Sequence, residues 1–229
     1  MLRSLCLAAL LAGLAPPAVA GPCPVMTPEY VVITPPGTPL ADGGGIVVAQ
    51  LLQFNGDRAP HGVDTAWRFA DGSKPAIVTL APGLDLLVAP AGASRLDDAK
   101  HGKVADIAHA ATAPAELAAP VVKAARRTDF RAGSHSSSTT TAELAAVPPK
   151  GALALVVFDK AGKVARSWGT LGGGTSIAIY ASGACGQPPT GLIDSPAGDE
   201  IRLAWVDTSG RLSKLSAPVA IAGPTGSHP

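Results

Sequence analysis

Charge is scarce in this chain of 229 residues: Asp, Glu, Lys and Arg make up 15%, and 18 bases stand against 17 acids. A nearly neutral chain has no long-range field with which to gather nucleic acid or anionic lipid. Aromatic residues are equally sparse, with three Trp, two Tyr and four Phe, which argues against a base-stacking surface for single strands. Hydrophobic residues nevertheless reach 47%, and that removes the charge-expanded disordered class. Alanine carries much of this count, so the bulk of an interior must come from Val, Leu, Ile and the few rings. Long helical bundles are disfavoured because 26 Gly and 22 Pro punctuate the chain, and both residues interrupt helices.

Cysteine is also rare, and its placement depends on how the chain begins. Met1-Leu2-Arg3 precedes an apolar run from Leu5 to Leu14, and Ala18-Val19-Ala20 stands before Gly21. A positive start, a short greasy stretch and a small-residue cleavage site are the parts of a secretory signal peptide. The run is too short to cross a bilayer, which takes about 20 apolar residues. Cleavage after Ala20 is therefore expected, giving an exported protein, periplasmic or extracellular, with no membrane span after removal of residues 1–20. Loss of Cys6 leaves Cys23 and Cys185, and an even pair in an exported chain is the arithmetic of one disulfide. Two alternatives stand beside it: two free thiols, or lipidation of Cys23, which Pro22 disfavours because that signal wants a small residue directly before the cysteine.

Beyond Tyr30 the chain is a series of short Val, Leu, Ile and Thr runs separated by Gly, Pro, Asp and Asn, the rhythm of β-sandwiches. Strands are expected over 30–34, 46–54, 65–69, 76–80 and 84–88, the last after the turn signal Pro82-Gly83. The second half repeats the order with runs at 151–158, 164–168 and 176–180. Residues 45–52 lie over 151–158, Trp67 falls near Trp168, and 81–88 lie over 196–203, which suggests an internal repeat. Trp67, Trp168 and Trp205 sit inside strand patterns and are expected in the core.

Near the end, Glu200-Ile201-Arg202-Leu203-Ala204-Trp205-Val206-Asp207-Thr208-Ser209-Gly210 runs into a strand ending Ser216-Ala217-Pro218-Val219-Ala220-Ile221. This stretch of about 20 residues resembles the last hairpin of fibronectin type III and related immunoglobulin-like domains. There, an aromatic-bearing strand enters an Asp-x-x-Gly turn in which the carboxylate accepts a backbone N–H and glycine takes a positive φ. The resemblance implies a fold, and that fold serves many functions.

Between the halves alanine dominates, with Leu96, Val104, Ile107 and Leu117 widely spaced, so a short helix over about 96–111 is expected, ending before Pro114. On that helix His101 and His109, with Asp98 and Asp106, fall roughly on one face and form the candidate site for copper or zinc. All five histidines, at 61, 101, 109, 135 and 228, lie in the mature chain. Residue 105 is alanine where the strong i, i+4 spacing would need a ligand, so two solvated histidines are the plainer reading.

Other chemistry is thin. The nucleophile pattern Gly-x-Ser-x-Gly is absent, and Ser134 beside His135 is adjacency within the tract Ser134 to Thr141. The triple glycines at 43–45 and 172–174 lack the Lys-Ser/Thr of a phosphate loop. Asp97-Asp98 and Asp199-Glu200 read as solvated turn charge. The basic cluster Lys123, Arg126, Arg127 and Arg131, with Asp129 its sole acid, is the one local charge asymmetry; in an exported protein it could meet an acidic polysaccharide, a lipid headgroup or a partner domain, and an exposed face of the first strand of the second domain is the plainer reading.

These observations predict an all-β chain of two tandem immunoglobulin-like β-sandwich domains, at 21–95 and 113–229, joined by a short Ala-rich helical connector at 96–112. The expected role is a non-catalytic structural, adhesive or partner-binding protein of the cell envelope, without cofactor, catalytic residues or nucleic-acid partner. Its partner is expected to be a protein or polysaccharide. A periplasmic copper or zinc binder using His101 and His109 is the alternative.

Overall fold

A computed structural model of the chain describes residues 27–41, 43–53, 67–98, 102–110, 115–132, 135–182 and 197–223. The segment 1–20, Cys23, Cys185, His61, His101 and His228 lie outside the described residues, and with them the expected disulfide and half of the candidate metal pair.

Among the described residues the structure is all-β. The strands are β1 (Thr27–Val32), β2 (Pro39–Leu40), β3 (Gly45–Gln53), β4 (Trp67–Phe69), β5 (Ala76–Ala81), β6 (Leu84–Val88), β7 (Arg95–Asp98), β8 (Gly102–Asp106) and β9 (Ala108–His109), then β10 (Val122–Ala132), β11 (His135–Leu144), β12 (Ala152–Asp159), β13 (Ala165–Thr170), β14 (Ser176–Ser182), β15 (Glu200–Asp207) and β16 (Val219–Ala222). In the N-terminal half a sheet of order β1-β3-β6-β5 faces a sheet of order β4-β7-β8, flanked by the parallel pair β2-β9. The C-terminal half is one seven-stranded sheet, β13-β12-β15-β16-β10-β11-β14. It doubles over at the parallel pairing of β16 with β10, where Ala125 meets Ile221, so that β10-β11-β14 covers β13-β12-β15-β16.

Three apolar layers separate these sheets. Ile46, Val48 and Leu87 meet Trp67, Phe69, Leu96 and Ile107 in the first. In the third, Ala125, Ala142, Ile177 and Ile179 meet Leu155, Val157, Leu203 and Trp205. The middle layer joins the halves: Val47, Ala49, Leu84 and Leu86 pack on Ala154, Val156, Phe158, Trp168, Ala204 and Val206. Successive side chains of a strand point to opposite faces, so β3, β6, β12 and β15 are covered on both sides. Such strands are near-continuous apolar runs rather than alternating ones. Each layer holds one of the tryptophans, and all three are buried.

Two expectations are corrected. The Ala-rich segment expected as a helical connector over 96–112 is extended through β7, β8 and β9. Leu96 pairs with Phe69 on one side and Ala105 on the other, and β9 pairs with β2. Burial of Leu96 and Ile107 between two sheets outweighs alanine's helix preference, which is worth only tenths of a kcal/mol per residue. The segment therefore completes the second sheet of the N-terminal half. The apparent repeat is also not a structural correspondence: with the two-residue β2 of the flanking pair set aside, β3 is the second strand of its half in chain order and β12 the third of its own. The segments resemble each other because they lie on opposite walls of the middle layer.

Candidate interaction face

Strand β10 carries the basic cluster and β11 carries the Ser/Thr tract, and the fold brings the two together as neighbours. Antiparallel pairing sets Arg126 opposite Thr141, Thr128 opposite Thr139 and Phe130 opposite Ser137. The inward side is fixed by Ala125 and Ala142, both in the third apolar layer. Residues of the opposite parity, Arg126, Thr128 and Phe130 on β10 with Thr139 and Thr141 on β11, therefore form the outer face of the sheet. Phe130 is 58% exposed. Small hydroxyl side chains line the middle of this face, and the phenyl ring stands at its hairpin end.

Adjacent arginines have different fates for the same reason. Arg127 points inward, its side chain only 15% exposed. Its Nε donates to Asp129 Oδ1 at 2.9 Å and its Nη2 to Ser138 Oγ at 3.0 Å. A half-buried guanidinium needs such partners, because leaving it desolvated and unpaired is expensive. Arg126 faces solvent and makes no hydrogen bond or ion pair among the described residues. Lys123, the extra residue of a bulge between Val122 and Ala124, is exposed at the other end of the strand. Glu143, exposed beyond Thr141 on β11, is the acid on this face. Within the Ser/Thr tract Thr140 turns inward and is fully buried, its hydroxyl without a partner among the described residues. The side chains of Arg131 and His135 are outside the description.

The remaining candidates are placed apart. His109 is exposed on β9, where its Nε2 lies 2.6 Å from the Ala93 carbonyl oxygen, and Asp106 pairs with Lys103 at 2.6 Å. With the helix gone, the geometry that set His101 and His109 on one face is gone too. Among the described residues no three His, Cys, Asp or Glu side chains gather as a metal site. Asp97 lies within β7 rather than in a turn and is bonded to Arg95, while Asp199 pairs with Arg166 at 2.6 Å.

Asp207 is a heavily bonded carboxylate. It is 4% exposed and accepts from the backbone N–H and hydroxyl of Ser209, from Arg211 N–H, and from Arg211 Nε and Nη2, at 2.7 to 3.0 Å. Burial works to raise its pKa, but these hydrogen bonds outweigh burial and hold it below the ordinary carboxylate range. It borders a cleft of about 210 Å³ with Glu116, Leu117 and Leu212. Its bonds are all spent on closing the turn, which identifies a structural carboxylate.

A second exposed surface is the edge strand β5, paired with β6 on one side. Ile77 and Val78, on opposite faces of it, are 38% and 47% exposed. No helix of the described residues is long and apolar enough to cross a membrane. Neither the protein-family models nor the curated proteins contain a match to this chain.

Proposed function

We propose that this is an exported, non-catalytic structural, adhesive or partner-binding protein of the cell envelope, periplasmic or extracellular, and that its working surface is the outer face of β10 and β11. The observation that carries this reading is the exposure of Phe130 and of Arg126, which has no partner among the described residues, at the two ends of a row of hydroxyl side chains. Exposed aromatic and arginine side chains are the residues that anchor interfaces.

Both halves are read as immunoglobulin-like sandwiches, and strand order supports this. In the first half β1-β3-β6-β5 against β4-β7-β8 matches the ABED and CFG sheets of a seven-stranded immunoglobulin-like domain. In the second, β10-β11-β14 against β13-β12-β15-β16 is the related arrangement in which the fourth strand has moved across to the CFG sheet. The hairpin resemblance at 200–221 is consistent with that order, since β15 and β16 occupy its last two places.

The test is retention of an envelope component from detergent-solubilised membranes and periplasm on immobilised protein beginning at Gly21. Wild type retains it and the Arg126→Ala/Phe130→Ala double variant, with unchanged circular dichroism and melting, does not. Equal retention by both proteins overturns the assignment of the face.

A further inference from the structure

We infer that the outer face of β10 and β11 binds an extended acidic polysaccharide, a sugar chain carrying carboxylate groups; this rests on the reading of that face as the working surface. The rows Arg126/Thr141, Thr128/Thr139 and Phe130/Ser137 follow one another along the strands, about 7 Å apart because each row advances two residues. Within a row the two Cβ atoms stand about 5 Å apart. The result is a strip with a guanidinium at one end, hydroxyls in the middle and an exposed ring at the other.

Each part matches one feature of such a chain. The unpaired guanidinium of Arg126 supplies the planar fork that carboxylates accept. The hydroxyls of Thr128, Thr139 and Thr141 both donate and accept, as sugar hydroxyls require. The Phe130 ring offers an apolar plate for the C–H face of a pyranose. Other occupants fit less well. Strand addition would use the edge of β10 beyond Arg126, where its pairing with β16 stops, and would leave the outward hydroxyls of Thr128, Thr139 and Thr141 without a role. A membrane surface wants several cations with an apolar anchor, and this face has Arg126, Lys123 and one ring. Glu143 opposes an anionic ligand, and that opposition gives the inference a signed test.

The experiment is calorimetric titration of the full exported chain with oligomeric alginate, a polyuronate, and with the neutral glucan dextran. Alginate is expected to bind with an affinity that falls as salt rises, and dextran to bind at least tenfold more weakly. Arg126→Gln weakens alginate binding about three- to fivefold, in the range of an exposed charge pair. Phe130→Ala weakens it about fivefold, Glu143→Gln tightens it, and Arg68→Gln on a distant sheet leaves it unchanged. Absence of alginate binding by folded wild type, equal affinity for dextran, weakening by Glu143→Gln, or preferential binding to anionic phosphatidylglycerol vesicles each overturns the inference. If wild type retains an envelope component through Arg126 and Phe130 but ignores alginate, the face remains a binding surface and the acidic polysaccharide is excluded.

Discussion

The indole N–H of Trp168 donates to the carbonyl oxygen of Pro82 at 3.0 Å, linking β13 of the C-terminal half to the β5–β6 turn of the N-terminal half. The bond borders the middle apolar layer, where side chains from both halves are buried together. A contact of that kind couples the stabilities of the two halves, whereas tandem domains on a loose linker unfold separately. Trp168→Phe is expected to lower stability by about 1 kcal/mol, and Val156→Ala by about 2 kcal/mol. Both variants are expected to keep a single cooperative transition. Two resolved transitions in differential scanning calorimetry of the wild type would contradict the coupling.

The turn that follows β15 is held from both sides. Gly210 has φ 79°, a region in which a side chain costs about 1–2 kcal/mol, and an added Cβ there would collide with the Leu86 side chain across the middle layer. Gly210→Ala combines strain with overpacking and is expected to destabilise by about 2–4 kcal/mol. Gly172→Ala, at a position with no neighbour within 4 Å and an ordinary φ, is expected to change stability by less than about 0.5 kcal/mol. Urea denaturation of the two variants checks the contrast.

Much of this architecture is legible in the sequence, and the failures share one cause. The runs at 46–53, 84–88 and 152–158 are strands because a stretch of Val, Leu and Ile of that length between turn signals has few alternatives. Pro82-Gly83 is a turn because proline presets its φ and glycine accepts +73°. Which surface covers each face of β3 or β12 is a long-range fact, so their likeness suggested duplication when it reflects stacking. The segment at 96–111 failed similarly: alanine speaks for helix locally, while the partners of Leu96 lie at Phe69 and Ala105. On the candidate face, period two already groups Arg126, Thr128 and Phe130. That Arg126 looks outward and Arg127 inward required the burial of Ala125.

Two buried carboxylates respond to pH with opposite signs. Asp207 has a lowered pKa in the folded protein, so it stabilises the fold above the ordinary carboxylate range and that contribution is lost as pH falls through its folded pKa. Asp85 has a raised pKa because burial dominates over the hydrogen bond from Thr79 Oγ1 at 2.7 Å. Its charged form is a burden on the fold above that raised pKa, and acidification relieves it. Asp207→Asn is therefore expected to lower stability near neutral pH by about 1–3 kcal/mol and to lower it less at about pH 3, below the ordinary Asp value. Asp85→Asn is expected to preserve or raise stability near neutral pH. Denaturant midpoints for both variants at the two pH values decide the matter; parallel responses would contradict the opposite assignments.

The edge strand β5 predicts self-association. Ala76-Ile77-Val78-Thr79 contains no charge, proline or bulge of the kind that blunts edges; its one register shift comes later, between Thr79 and Ala81. Its flanking Lys74 and Pro75 protect only the entrance. Ile77 and Val78 are exposed on opposite faces, so a strand arriving at the edge would gain apolar contacts above and below as well as backbone hydrogen bonds. Because both side chains are solvated in the monomer, Val78→Lys is expected to change stability by less than about 0.5 kcal/mol while reducing concentration-dependent association. Sedimentation velocity over a hundredfold range of protein concentration measures this. Wild type is expected to shift to a larger species at the high end and Val78→Lys to stay monomeric. A wild type that remains monomeric throughout, or a variant that associates equally, would show that the neighbouring β13 or the turn at Pro82 already shields the edge.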